Sequence, residues 1–516
     1  MIRKLWLLAS LLAVASPDVA SAAWYQASSK HFVVYANDSP ERVKAYTERL
    51  ERFDQAIRYW HRMPEDKRGP SARVTIFVLS DIGEIQKIYG RGSTSNVAGF
   101  YDPRASGSVA FTPRNAGNEG DYGLSAQAIL FHEYTHHFML TNMSDAAFPP
   151  WFTEGYAELH ATAIIKSDGS VQFGAVPRYR QWTVASPMLL PAAKLLEPYP
   201  GKLDDDSRDA LYSRGWLLMH YLTFDADRRK QLAAYIIAIN SGKSAQEAGE
   251  AFGKLSELDG KMNAWGSRKA MPFNEISGSE LHTGTIAVRP LTPGEAAVMP
   301  ALIASERGVD DKTAPTVAAL AERLAAPFPG DPAAQNELAE AEFDAKNYAA
   351  SEAAADRALA ADPKSVHALL YKGMAQQAVL VRDKISDSNR WATARRWYLA
   401  ANKVDTENPE PLVQFYDSFV EQKEKPTANA ANGLLYAYAL APYDPLLRLR
   451  AASVLIGRDQ EKAARIALYP VAYNIEESGP AEIAQKVLKA LDAGDKTAAL
   501  KAFEPTEKKA EDKKKA

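Results

Sequence analysis

A His-Glu-x-x-His motif constrains this chain more than any other feature of its sequence. It spans residues 132–136, His-Glu-Tyr-Thr-His, and follows Phe131 in a run that opens after Ser125, a suitable helix N-cap. Four residues advance an α-helix by about 400° and about 6 Å, so His132 and His136 share one face and can bind the same Zn²⁺. Glu133 then lies beside the metal, where it can take a proton from the bound water and pass it to a leaving amine. The motif therefore predicts a zinc site on a helix.

A second segment supplies a third ligand. Seventeen residues separate His136 from Glu154, which lies in the run Pro-Pro-Trp-Phe-Thr-Glu-Gly-Tyr-Ala-Glu at 149–158. Paired prolines suit a helix start, and the spacing lets this second helix return antiparallel to the first. Glu154 is then the natural third ligand, which leaves one coordination position open for water and substrate.

Two neighbours of Glu154 support this interpretation. Gly155 costs about 1 kcal/mol relative to alanine inside a helix, and a close approach of two helices around the metal is a reason to tolerate it. Glu158 lies one turn beyond Glu154 and can accept a hydrogen bond from a ligand imidazole. The alternative for Glu158 is an ordinary surface carboxylate.

These residues resemble a known group of enzymes. His132-Glu133-x-x-His136 followed by Trp151-Phe152-x-Glu154-Gly155-x-Ala157-Glu158 is similar to the gluzincin metallopeptidases. More narrowly, it resembles the exported peptidase MA-like domains of bacterial proteins, which are often joined to tetratricopeptide repeats. The resemblance covers roughly residues 24–270, and its metal motif is specific whereas the remainder is loose. It implies one Zn²⁺ per chain, with His132, His136 and Glu154 as ligands and Glu133 as general base.

The resemblance also implies a strand that pairs with substrate. A thermolysin-like arrangement places an edge strand before the active helix, and residues 97–101 are the candidate, with Ala98, Gly99 and Phe100 at its centre. Gly99 would let a peptide backbone come close. An ordinary hairpin strand is the alternative.

A donor to the developing oxyanion is implied as well. In this family type it is usually a Tyr or His from a later helix, and Tyr212 is the candidate here, with a packed helix tyrosine as the alternative. The aminopeptidase branch carries a Gly-x-Met-Glu-Asn type segment, and none lies upstream of His132. Exopeptidase action is therefore not supported. His137 and His160 are interpreted as structural.

Composition excludes several other kinds of site. The chain has no cysteine, which excludes disulfides, Cys-ligated zinc, iron–sulfur clusters and thiol nucleophiles. Its 61 Lys and Arg residues against 64 Asp and Glu residues give a net charge of −3. No broad basic field exists to bind nucleic acid or an anionic membrane.

The first 22 residues have the layout of a secretory signal peptide. Arg3 and Lys4 precede an apolar run at 5–15, and Ala20-Ser21-Ala22 is a small-x-small cleavage pattern. That run is about half of the ~20 residues needed to span a bilayer, so cleavage is favoured over an uncleaved anchor. No later stretch reaches 18 apolar residues. We therefore expect an exported chain, periplasmic or secreted, with no membrane span after processing.

Periodicity predicts an α+β region over residues 23–275. The resemblance implies that this region is a zincin-like domain with a mixed sheet and active-site helices. The predicted strands are 31–36, 73–79, a hairpin of 98–101 with 108–111, and a pair within 164–173; the predicted helices include 40–60 and 81–89. Residues 276–300 are expected to form a linker with a strand at 285–288. Because composition and periodicity change there, we expect residues 23–275 to fold alone and bind zinc.

Residues 301–490 are alanine-rich and predict an all-α domain of tetratricopeptide-like helical repeats. One unit covers 338–363, and a second holds Gly373, Ala394, Tyr398 and Ala401 but needs about nine extra residues near 379–387. Weaker copies end near Pro442 and Pro470. A generic array of helical hairpins is the alternative. Residues 491–516 are expected to be a helix end and a charged, disordered tail.

The sequence thus predicts an exported zinc peptidase that acts on a peptide or protein substrate. Its helical repeats would recruit that substrate or bind a protein partner, since such repeats form curved protein-binding surfaces. Two alternatives stay open. One is a non-catalytic or weakly active repeat scaffold with a structural zinc domain, and the other is a zinc amidase that acts on cell-wall material.

Overall fold

The computed structural model describes residues 23–90, 99–115, 123–184, 190–197, 205–474 and 479–504. The predicted signal peptide and the tail from residue 505 lie outside these ranges. The strands in the described part are β1 (Trp24–Ser28), β2 (Phe32–Asn37), β3 (Val74–Asp81), β4 (Phe100–Asp102), β5 (Val109–Asn115), β6 (Ile164–Ile165), β7 (Val171–Phe173), β8 (Asn274–Ile276) and β9 (Ala287–Pro290). The helices before residue 270 are α1 (Pro40–His61), α2 (Ile82–Tyr89), α3 (Ala126–Asn142), α4 (Pro150–Ala161), α5 (Gln181–Val184), α6 (Ala192–Leu195), α7 (Asp205–Phe224), α8 (Arg229–Asn240), α9 (Ala245–Gly249) and α10 (Leu255–Gly266).

The larger sheet is mixed, with the strand order β4-β5-β3-β2-β1-β9. Strands β2, β3 and β5 are parallel, and the outer strands pair antiparallel. Helix α1 covers one face because Val43, Leu50, Phe53 and Ile57 recur at helical spacing and are all buried against the sheet. The predicted strands at 31–36 and 73–79 and the helix at 40–60 are confirmed within two residues. A smaller sheet has the order β6-β7-β8.

Helices make up most of the described chain after β9. They are α11 (Pro293–Glu306), α12 (Ala314–Ala325), α13 (Pro332–Asp344), α14 (Tyr348–Ala361), α15 (Val366–Arg382), α16 (Ser388–Val404), α17 (Glu410–Glu421), α18 (Ala428–Leu440), α19 (Pro445–Gly457), α20 (Glu461–Ala472), α21 (Gly479–Asp492) and α22 (Lys496–Lys501). Each helix packs against the next one in the chain. This arrangement is compatible with a helical repeat region. No helix in the described ranges combines the length and the apolar character needed to cross a membrane.

The extra residues of the second repeat unit lengthen its helices. Helices α13 and α14 have 13 and 14 residues, whereas α15 and α16 have 17 each. Gly373 on α15 lies against α16, where an added Cβ would come within 2.6 Å of the Tyr398 ring. The small and large residues that predicted this unit are therefore the ones that meet between its two helices.

Pro470 lies close to the end of a helix, as the predicted repeat copy requires, but inside the helix and not after it. It lies inside α20, where proline removes the N–H that would bond to the carbonyl of Ile466. The buried guanidinium of Arg448 donates to that carbonyl at 3.5 Å and to the carbonyl of Ala467 at 3.4 Å. Arg448, from the preceding helix, thus donates the hydrogen bond that Pro470 cannot, and the helix continues to Ala472.

Residues 276–300 do not form a linker, which corrects the expected domain boundary. Strand β9 pairs antiparallel with β1, with Tyr25 opposite Pro290, and completes the larger sheet. Helix α11 then packs Met299 and Ile303 against Phe77 of β3. The Gly, Pro and Ser residues of this stretch mark the turns around a short edge strand. A chain that ends at residue 275 would lack both elements.

The later helices also fold back onto the sheet. In the turn between β4 and β5, the Ala105 N–H donates to Oδ2 of Asp444 at 2.8 Å, and Arg104 donates to the carboxylate of Glu306 at 2.6 Å. The Tyr443 ring lies against that of His137 on α3, with the ring centroids 4.6 Å apart. The helical region and the sheet therefore share an interface beside α3.

Candidate metal centre

Helix α3 turns one face to the core and another to a cavity. Ser125 caps its start and accepts from the Ala128 N–H at 3.1 Å. Phe131 stacks on Phe53 of α1 with the ring centroids 3.8 Å apart, and the Tyr134 hydroxyl donates to Asp54 at 2.7 Å. Because these contacts fix the rotation of the helix, a different face of it, with His132, Glu133 and His136, lines the cavity.

The three predicted ligands lie together. Nε2 of His132 and Nε2 of His136 are 3.1 Å apart, and Oε2 of Glu154 lies 3.3 Å from the first and 3.4 Å from the second. A tetrahedral Zn²⁺ with bonds of about 2.0–2.1 Å separates its ligand atoms by about 3.3–3.4 Å. Oε2 of Glu154 is also buried and lacks a hydrogen bond of good geometry. Within the described residues, this is the His, Asp and Glu group whose atoms are close enough to share an ion.

The charges of the pocket also suit a cation. Burial lowers the pKa of His132, but the carboxylates of Glu154 and Glu158 raise it more, to about 10. Burial raises the pKa of Glu154, but His136 and His132 hold it well below its usual range. Arg180 pairs with Glu158 at 2.9 Å, whereas the buried carboxylate of Glu154 has only the two histidines beside it and needs a positive charge there. The donor set therefore fits a divalent ion in place of the proton on His132.

Glu158 is not a surface carboxylate, since only 1% of it is exposed. It accepts from the Tyr179 hydroxyl at 2.7 Å and from Nε of Arg180 at 2.9 Å. Its Oε1 lies 3.4 Å from Nδ1 of His132. A carboxylate at Nδ1 orients the imidazole so that Nε2 points at the other ligands. Tyr179 and Arg180 were missed by the sequence analysis because they lie on a single 3-10 turn, Arg178–Arg180, which is too short to show a periodic pattern.

Two glycines bring α4 and α7 together. A Cβ on Gly155 would lie 2.4 Å from the carbonyl oxygen of Gly215, and one on Gly215 would lie 2.9 Å from that of Trp151. The predicted reason for Gly155, a close helix approach, is confirmed. One turn before Gly215, the Tyr212 ring lies 5.6 Å from the His132 ring, measured between centroids. Tyr212 therefore lines the same cavity as the ligands.

Strand β4 lies at the edge of the larger sheet, next to the cavity, as the resemblance implies. Ala98 lies outside the described residues. Phe100 stacks on Phe111 with the ring centroids 4.7 Å apart. Gly99 does not leave room for a substrate, because a Cβ there would meet Ile129 of α3 at 2.9 Å and the Phe111 carbonyl at 3.1 Å. The glycine serves packing of the strand on the helix, which corrects the expected role.

The cavity has a volume of about 260 Å³, and three groups of residues line it. The first group is the three ligands with Glu133 and Tyr212. The second is the mostly apolar residues of the later part of α3 and of the loop after it, and the third comes from the helical region. The lining residues are Tyr101, Pro103, His132, Glu133, His136, Met139, Leu140, Met143, Ala146, Phe148, Pro150, Thr153, Glu154, Tyr212, Pro470, Tyr473 and Asn474. The last three come from the helical region, and the sequence analysis did not predict that they line the site.

The two histidines that were interpreted as structural, His137 and His160, are both buried. His137 accepts from or donates to the Tyr101 hydroxyl at 2.6 Å, and burial lowers its pKa to about 3. His160 pairs with His61 through their Nε2 atoms at 3.1 Å. Both lie outside the ligand group, in agreement with a structural role.

Comparisons with known proteins add little to this geometry. No family model and no curated protein matches the chain. Among solved structures, Pseudomonas aeruginosa pilF aligns with a TM-score of 0.32 and 16% identity, over 41% of this chain and 88% of that chain. A TM-score at this level does not establish a shared fold, so a functional assignment has to come from the site.

Proposed function

We propose that this chain is a zinc-dependent peptidase of the gluzincin type. The observation that carries the proposal is the triangle of His132, His136 and Glu154, with edges of 3.1–3.4 Å, on the wall of a cavity that also contains Glu133. A structural zinc site uses four protein ligands, whereas a catalytic one keeps a position open. Three protein ligands beside a cavity favour catalysis over a scaffold role.

The side chains around the triangle have distinct tasks in this proposal. Bound Zn²⁺ would polarise the scissile carbonyl and lower the pKa of water. The Glu133 carboxylate takes a proton from the attacking water and delivers it to the leaving amine. The Tyr212 hydroxyl donates to the developing oxyanion, and Glu158 holds the His132 imidazole in orientation.

Strand β4 provides a backbone for an extended substrate. Among the described residues, no strand pairs with its outer edge, and Tyr101 from this strand lines the cavity. A peptide that adds to this edge would pass the ligands in extended form. This geometry favours a peptide over a compact amide.

Cleavage of a proteome-derived peptide library by the zinc-loaded full-length chain tests the proposal. The matched control is Glu133→Gln, which keeps all three ligands but removes the base. We expect cleavage by the natural chain and a loss of about 10²–10⁴-fold in the variant. Hydrolysis of cell-wall amides without any peptide cleavage would favour an amidase. Zinc binding with neither activity would favour a scaffold.

We also propose that the chain is exported after removal of residues 1–22, on the strength of the signal-peptide pattern. N-terminal sequencing of the protein from its native host should then start at Ala23 or within a residue or two. A product that starts at Met1 would contradict export by this route.

A further inference from the structure

One wall of the candidate active-site cavity comes from the far end of the chain. Pro470, Tyr473 and Asn474 line the same cavity as Glu133 and His136, although Tyr473 follows His136 by 337 residues. We propose that Tyr473 is a specificity-determining residue of the substrate cleft. This inference rests on the proposed peptidase function and names a substrate class for it, extended peptides with a bulky apolar side chain near the cleaved bond.

The position of this wall is fixed by packing. Leu468 and Val471 of α20 are buried in a core shared with Val487 and Leu488 of α21. The Tyr473 ring stacks on Tyr469, with centroids 5.4 Å apart and planes 22° from parallel. A ring held in this way presents a preformed surface to a substrate, which lowers the entropy that binding costs.

The helical region is also anchored to the ligand helix. Tyr443, in the turn before α19, packs against His137, the neighbour of the ligand His136. The side chain of Asp444 accepts from the Ala105 N–H of the turn that follows the edge strand. Since α20 packs on α19, these contacts set the distance between Tyr473 and the zinc ligands.

The apolar lining of the cavity indicates which side chain fits. Met139, Leu140, Met143 and Phe148 line the same cavity as Tyr473. An aromatic or large aliphatic side chain in contact with these residues and with Tyr473 would bury the most surface, and aromatic rings gain further from stacking. A small or charged side chain would gain neither contribution. The helical region therefore selects substrate within the cleft itself, beside any recruitment by its outer surface.

Three hydroxamate probes test this inference on the zinc-loaded, full-length chain. Acetohydroxamate measures binding to the metal alone. A dipeptide hydroxamate with a phenylalanine side chain also measures contact with the surface that contains Tyr473, and the same dipeptide with alanine is the reference. For Tyr473→Ala, we expect calorimetry to show at least a tenfold loss of affinity for the phenylalanine probe. Affinity for acetohydroxamate and the alanine probe should stay within about twofold, because the ligands are untouched.

Two further variants complete the experiment. Tyr436→Ala removes a half-exposed tyrosine of α18 that does not line the cavity, and it should bind all three probes as the natural chain does. Tyr473→Leu keeps an apolar side chain against Tyr469 and replaces the alanine variant if that variant unfolds. Like Tyr473→Ala, it should reduce the preference for the phenylalanine probe over the alanine probe.

An unchanged preference in both Tyr473 variants would overturn the inference, as would an equal loss for all three probes. If the natural chain with zinc does not bind acetohydroxamate, the proposed metal function itself fails. These outcomes separate an error about Tyr473 from an error about the active site.

Discussion

Alanine at Gly155 should destabilise the chain although alanine is the better helix former. The new Cβ would lie 2.4 Å from the Gly215 carbonyl oxygen, so α4 and α7 must separate by about 1 Å to reach ordinary contact. Both surfaces are backbone and cannot yield, which sets the cost of overpacking near the upper end of its usual range, about 3 kcal/mol. The gain in helix propensity is about 1 kcal/mol. The net loss is about 2 kcal/mol, which at about 2.1 cal/mol/K of unfolding entropy per residue lowers the Tm of a cooperative unit of about 250–480 residues by about 2–4 °C.

The same displacement should weaken zinc binding, because Glu154 precedes Gly155 and metal sites tolerate errors of only about 0.2 Å in ligand distance. Thermal unfolding of the metal-free protein and competition with a chelating dye measure the two effects. Gly260→Ala is the matched control, since Gly260 is exposed in α10 and no atom lies within 4 Å of an added Cβ. It should stabilise the chain by up to about 1 kcal/mol. If Gly155→Ala stabilises as much as Gly260→Ala, the close helix approach is refuted.

Three other predictions follow from the structure. Glu158→Gln should reduce zinc affinity by about 10–100-fold in chelator competition while the fold stays intact, because the orienting charge on His132 is lost; unchanged affinity would deny that role. A chain that ends at residue 275 should aggregate or show no cooperative unfolding, since β9 is absent and the burial of Met299 and Ile303 is worth at least about 3 kcal/mol; a monomeric, zinc-binding fragment would contradict this. Burial lowers the pKa of His31, but the hydrogen bond with Glu51 raises this pKa more, so the folded value lies above the unfolded value of 6.5. The stability that protonated His31 contributes is therefore complete below pH 6.5 and is lost as the pH rises through the folded value. The difference in Tm between the natural chain and His31→Gln should therefore shrink from about pH 6 to about pH 9, and a constant difference would exclude this linkage.

The ligand group could be predicted from the sequence because its information is local. His132 and His136 are one helical turn apart, and Glu154 and Glu158 follow the same rule on the next helix. The glycine within that second helix pointed correctly to a close neighbour, which the structure identifies as Gly215. Residue patterns within single helices were therefore enough to predict the metal ligands and the close helix contact beside them.

The contributions that the sequence did not reveal depend on long-range contacts. Strand β9 is four residues long and gains its place only by pairing with β1, more than 250 residues earlier. Tyr473 enters the cavity because α19 and the turn before it dock beside α3, and no local pattern encodes that docking. Gly99 was assigned to the substrate because its packing against Ile129 cannot be seen in a single strand.

Metal analysis of four purified proteins tests the central claim most directly. The natural chain and Glu133→Gln should each contain one Zn²⁺ per chain, because Glu133 is not a ligand in the triangle. His132→Ala and Glu154→Ala should contain almost none after dialysis against a weak chelator, since each loses one corner of that triangle. Full zinc occupancy in Glu154→Ala, or no zinc in the natural chain, would contradict the assignment of His132, His136 and Glu154 as the metal centre.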